Sequence, residues 1–192
     1  MRLTTWIGRR SEQGIYEILH YDSTLELLDP NGDTAIFHKR QQVRFLQDNV
    51  LAFEDYAWGD GNIFADYRCA PGVAVDRYQD GDRWNILISL RETKSRGDIT
   101  DFHLERTIQA GFTQHEEWYQ AEIRHPTQRL RMAVIFPPER PCQRATLQER
   151  KHNRTRVLGP ACLQQLPDGR QLLEFETTHV RYLEIYTLRW TW

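Results

Sequence analysis

Cysteine is scarce in this chain of 192 residues: Cys69, Cys142 and Cys162 are all it has. An odd, widely spaced set without a C-x-x-C pair argues against a disulfide framework or a structural zinc knuckle. The three read as free thiols in a reducing compartment. Long apolar runs are missing as well. No stretch approaches the ~18 residues that a membrane-spanning helix needs, so no membrane partner is expected. Around the amino end, Arg9 and Arg10 interrupt any apolar core of a signal peptide, and the polar Ser11-Glu12-Gln13-Gly14 after them does not suit a twin-arginine export signal. Asn153-Arg154-Thr155 fits the N-glycosylation pattern, which carries no weight without secretion. The expectation is a cytoplasmic protein of bacterial type.

Catalytic signatures are absent too. The chain holds no Walker loop, no G-x-G-x-x-G, no G-x-S-x-G elbow and no H-E-x-x-H pair. Ser89, inside an apolar run, therefore has no claim to be a nucleophile, and no cofactor is implied. Lysine is nearly missing: only Lys39, Lys94 and Lys151 among 25 basic residues. Arginine favours rigid bidentate contacts, although GC-rich codon usage produces the same bias.

What is present is an ordinary globular composition, 40% hydrophobic and 27% charged, on a chain long enough to bury a core unaided. Four segments combine Asn-Gly or Asp-Gly with flanking apolar runs: Pro30-Asn31-Gly32-Asp33, Gly59-Asp60-Gly61-Asn62, Gln79-Asp80-Gly81-Asp82 and Pro167-Asp168-Gly169-Arg170. These dipeptides tolerate the positive φ of tight hairpins. Between them, Tyr119, Ala121 and Ile123 alternate with polar neighbours, as do Leu130, Met132, Val134 and Phe136, and as do Phe102, Leu104 and Arg106. Trp84 to Leu90 reads as a central strand. Residues 41–57 fit an amphipathic helix through Val43, Leu46, Val50 and Phe53, or two strands broken at Asp48-Asn49; the β-rich surroundings favour strands. A short helical stretch is expected near Pro160 to Leu166.

The fold expected is mainly β, an antiparallel β-sandwich or barrel-like architecture with at most one or two short helices. It would form a single β-rich domain over 1–192, with the option of a small N-terminal lobe (1–60) packed on a β-sandwich (61–192).

Candidate sites are few. His115-Glu116-Glu117, with His103 and His125 nearby in sequence, is the nearest approach to a metal cluster, and no metal site is assigned. Asp76, Asp80 and Asp82 suit a hairpin turn better than a calcium loop. Trp58-Gly59-Asp60-Gly61 combines an aromatic plate, flexible glycines and a carboxylate, a composition found in ligand-contacting loops. Tyr182, Tyr186, Leu188, Trp190 and Trp192 would share one face of a closing strand, read as core. The run Arg140, Arg144, Arg150, Lys151, Arg154 and Arg156 offers a basic surface. Charge is polarised: residues 1–66 hold eleven acidic and six basic groups, a balance of −5, whereas residues 125–192 hold six acidic and eleven basic, +5.

These features favour a non-catalytic binding or interaction module, a regulatory or accessory subunit. Its basic surface and Trp58 would contact an acidic protein, a second copy of itself or a nucleic acid. One alternative is a hydrolase, metal-dependent or not, that gathers Asp60, His103, His115, Glu116 and Glu117 in a cleft. Another is a small-molecule carrier with an apolar interior.

Overall fold

The computed structural model describes residues 14–192; the export-signal readings around Arg9-Arg10 lie outside them. Fourteen strands follow one another: β1 (Tyr16–Leu27), β2 (Thr34–Phe45), β3 (Val50–Ala57), β4 (Asn62–Ala70), β5 (Val73–Asp80), β6 (Arg83–Lys94), β7 (Ile99–Gln109), β8 (Glu116–Glu122), β9 (Thr127–Phe136), β10 (Arg144–Glu149), β11 (Arg154–Leu158), β12 (Leu163–Gln165), β13 (Gln171–Thr177) and β14 (Ile185–Thr191). Among the described residues a single 3-10 turn, Pro160–Cys162, begins on proline, whose fixed φ suits a first helical position.

The strands assemble into three sheets in a sandwich-like arrangement. The largest has the order β12-β13-β9-β1-β2-β7-β4, the second β11-β10-β14-β8, and the third β3-β6-β5. All pairings are antiparallel except β1 with β9. The large sheet carries cross-strand ion pairs, Arg129 with Asp22 and Glu176 and Arg131 with Glu174. Its other face is apolar, with Leu25, Val43, Phe102, Leu130, Val134 and Phe136 almost fully buried.

Local chemistry explains the turns. Between β1 and β2 the Asp29 carboxylate accepts from the N–H groups of Asn31, Asp33 and Thr34 at 2.9, 3.2 and 2.8 Å. Gly32 takes φ +76°, and a Cβ there would lie 1.8 Å from the Phe112 carbonyl oxygen. Asn31-Gly32, Gly81-Asp82 and Asp168-Gly169 each close a hairpin. Gly59-Asp60-Gly61-Asn62 does not. β3 pairs with β6 and β4 with β7, so this segment carries the chain from one sheet to another. Gly61 is needed there for close approach, since a Cβ would meet the Gln109 carbonyl oxygen at 2.3 Å.

Residues 41–57 are the end of β2 and all of β3, broken at 46–49, where Asn49 has φ +62°. The helical spacing of apolar residues arose because two alternating strands abut a short turn. The closing strand begins at Ile185, so Tyr182 is exposed, while Tyr186, Leu188, Trp190 and Trp192 are buried. Trp190 packs edge-on to Phe136 at 5.8 Å and stacks on Phe112 at 6.1 Å. The basic run 140–156 holds the β10–β11 hairpin. All three cysteines are free.

Candidate functional site

The three sheets leave a cleft where they meet. Its floor is the large sheet, through Tyr21, Lys39 and Arg106; one wall is β8, through Glu117 and Tyr119; the other is the β3–β4 crossing, through Trp58 and Asp60. The cavity volume is about 60 Å³.

Strand alternation puts charge on the apolar side of the floor. Lys39 follows Ala35 and Phe37 along the buried face of β2, and Asp55 sits between Phe53 and Ala57 on that of β3. Both are buried, at 7% and 3% exposure, and form an ion pair. The Tyr67 hydroxyl donates to the second Asp55 oxygen at 3.0 Å. Burial, reinforced by that carboxylate, pushes the Tyr67 hydroxyl far above its ordinary range. Arg106 lies in register between Phe37 and Tyr67, with its guanidinium 4.5 Å over the Phe37 ring.

On the opposite wall, burial raises the Glu117 carboxyl above the usual range. The N–H of Gln114, donating at 2.7 Å, opposes this, the negative charge of Asp60 adds to it, and Arg140 again opposes it. Asp60 itself is exposed. A desolvated carboxyl holds its proton more firmly than a solvated one, and unlike carboxyls serve as acid and base in hydrolytic sites.

Of the five groups that sequence proposed, the fold brings Asp60 and Glu117 together and scatters the rest. Glu116 points the other way along β8 and pairs with Arg189 at 2.7 Å. The His115 Nδ1–H donates to the Trp192 carbonyl at 3.0 Å, fastening the end of the described chain. His103 is exposed at a depression on another part of the large sheet, with Arg40 and Arg68. His125 stacks on Tyr16 at 4.0 Å; burial first, and Arg124 second, depress it to about 4. Among the described residues no three His, Cys, Asp or Glu side chains gather as a metal ion requires.

The basic run does not gather into one patch. Arg140 donates to the Pro30 and Gln114 carbonyls at 3.0 and 3.1 Å and stacks on Trp192 at 3.9 Å, clasping three segments. Arg156 lies over the Phe175 ring at 5.0 Å, and Arg154 is 3.6 Å from Glu149. Arg144 lines a shallow depression beside Arg189, whereas Arg150 and Lys151 are exposed at the end of the β10–β11 hairpin. That hairpin end is tied down by the fully buried Glu184, which accepts from the Lys151 and Ile185 N–H groups, each at 2.8 Å, and pairs with His152. Trp58, the remaining binding candidate, does line the cleft. Sequence reading missed Lys39, Asp55 and Tyr67 as members of the site. For Lys39 and Asp55 the signal was a charge at an apolar position of a strand; Tyr67 carried none.

No family model matches the chain, and no curated protein matches it. Solved structures do. An M1 zinc metallopeptidase from Deinococcus radiodurans, bound to a Tyr-Ser-Ala substrate, superposes with a TM-score of 0.54 at 10% identity, over 91% of this chain and 42% of that one. The M1 zinc metallopeptidase of the same organism gives 0.54 and 10%, over 93% and 43%. A putative protease from Parabacteroides distasonis gives 0.53 at 7% identity, over 94% and 41%. The chain thus spans about two fifths of the length of these proteins, and the likeness is one of fold. It overturns one expectation. Missing motifs weighed against an enzyme, yet the fold is one that metallopeptidases contain, so that lean does not stand. The described residues do not fit a zinc site. Among the described residues no helix is long and apolar enough to cross a membrane.

Proposed function

We propose that the chain serves in hydrolysis, admitting one end of a peptide-like substrate to the cleft where Asp60 and Glu117 meet. The observation that carries this reading is the upward-shifted Glu117 carboxyl beside the Asp60 carboxylate, among the aromatic walls of Trp58 and Tyr119. The fold shared with a peptidase whose bound substrate is a tripeptide supports the same class. In this scheme a water attacks the substrate carbonyl and gives its proton to Asp60. The carbon–nitrogen bond breaks, and the proton held by Glu117 goes to the departing amine. The Gln114 N–H fixes the Glu117 carboxyl, so the residue is positioned before substrate arrives. A carrier would need an empty apolar cavity of several hundred cubic ångströms; this cleft holds about 60 Å³, and the larger depressions beside His103 and beside Arg150 are lined mainly by polar and charged residues.

The test is release of amino acids from unblocked tripeptides, Tyr-Ser-Ala among them, followed by mass spectrometry. Wild type should exceed Glu117→Gln by about 10²–10⁴-fold, with Asp60→Asn also impaired. Wild-type release no faster than that of the Glu117→Gln protein would overturn the reading.

A further inference from the structure

The floor of the cleft holds a cation that the fold leaves unpaired. Arg106 lines the cleft, and its Nε is shut off from water without donating to any acceptor. Among the described residues no carboxylate forms an ion pair with its guanidinium. The nearby carboxylate of Asp55 is already engaged by Lys39 on one oxygen and by the Tyr67 hydroxyl on the other. On the floor itself Lys39 and Arg106 stand against Asp55 alone, while Asp60 and Glu117 lie on the walls. Arg106 is half-buried, and its enclosed Nε has lost water without gaining an acceptor, which carries a desolvation cost. Burial accordingly pulls Arg106 below the ordinary arginine range. The Phe37 ring beneath the guanidinium steadies its plane, and a guanidinium held in plane offers a carboxylate two-point contact.

Size and charge narrow the ligand. At roughly 10–15 Å³ per water-sized sphere, a cavity of about 60 Å³ takes a small head group and not a whole peptide. With Asp60 and Glu117 on the walls, the cleft accepts a monoanion at Arg106 better than a dianion. We propose that Arg106 binds a carboxylate, so that the cleft receives a short peptide by its free carboxyl end. The peptide identity rests on the hydrolytic reading above; the carboxylate subsite rests on Arg106 itself.

Calorimetric titration separates the two. Using Glu117→Gln protein, which keeps the Gln114 contact, Tyr-Ser-Ala as the free acid should bind at least about tenfold tighter than its carboxyl-terminal amide. Arg106→Met should abolish that preference, and Arg106→Lys should restore part of it. Equal affinity for acid and amide overturns the proposal without recourse to any Arg106 variant. So does a preference that survives in Arg106→Met, absence of acid binding, or displacement of the peptide by inorganic phosphate at equal affinity. Failure here, with tripeptide release still dependent on Glu117, would leave the hydrolytic reading standing. A carboxylate preference without any release would do the reverse.

Discussion

Acidification should unfold this protein through His125 before most of its carboxylates matter. The half-buried ring stacks on Tyr16 at 4.0 Å and is depressed from 6.5 to about 4, by burial and by Arg124 against a smaller opposing pull from Glu54. The unfolded chain takes up a proton on this residue as pH falls through 6.5, while the folded chain resists until about 4. In that window the unfolded state binds more protons, so stability falls with pH. At about 1.36 kcal/mol for each tenfold change in proton affinity, the full loss is about 3 kcal/mol, and none of it is felt above pH 7. The comparison is urea unfolding by tryptophan fluorescence between pH 7.5 and 4, for wild type and His125→Phe. Phenylalanine retains the ring on Tyr16 but cannot titrate. Carboxylates held low by hydrogen bonds, such as Asp29 and Glu184, act equally in both proteins and cancel in the difference. The wild-type curve should drop relative to the variant by about 3 kcal/mol across the window. Parallel curves would refute the account.

Other perturbations follow from the same structure. Gly32→Ala should abolish folding or cost several-fold more than Gly81→Ala in thermal melts, because the first Cβ meets the Phe112 carbonyl at 1.8 Å whereas the second meets nothing within 4 Å; Gly81→Ala should cost only the ~1–2 kcal/mol of a left-handed alanine. Trp190→Ala should cost about 3–5 kcal/mol in urea denaturation, given its burial among Phe112, Tyr119 and Phe136. Asp55→Ala should cost about 3–5 kcal/mol by leaving Lys39 buried and unpaired, and a second change, Lys39→Met, should recover much of it. Glu117→Gln should melt at or above the wild-type temperature at pH 7, because burial there disfavours the ionised carboxyl that the variant removes; a clear fall would mean that the carboxylate is a structural group.

Period-two alternation made the sheets legible because it repeats over many residues. Tyr119, Ala121 and Ile123 face inward, as do Leu130, Met132, Val134 and Phe136. Turn chemistry was legible where the flanking strands pair with each other. It misled at Gly59–Asn62, since a glycine-rich corner that switches sheets has the same composition as a hairpin, and only the pairing of β3 with β6 tells them apart. β10 and β11 were obscured by their arginines. Arg156 and Arg154 supply charge at an edge strand, as edge strands often do, so the segment reads as a solvated run even though Ala145 and Leu147 are buried.

The site was legible only in its exposed half. Trp58 and Asp60 announce themselves by loop composition, and Glu117 by its histidine neighbour, which has no part in the cleft. The buried half is written in a different signal. Lys39 continues the row of Ala35 and Phe37, Asp55 that of Phe53 and Ala57, and Arg106 that of Phe102 and Leu104. An isolated charge on an apolar face looks like noise in a single strand, because strands at a sheet edge turn that face to water at little cost. When three strands from two sheets place such charges against one another, each lowers the cost of burying the next. Lys39 and Asp55 neutralise each other and Tyr67 completes Asp55. Arg106 is the half-buried group left without an ion pair, and it is the one that the proposed carboxylate would complete.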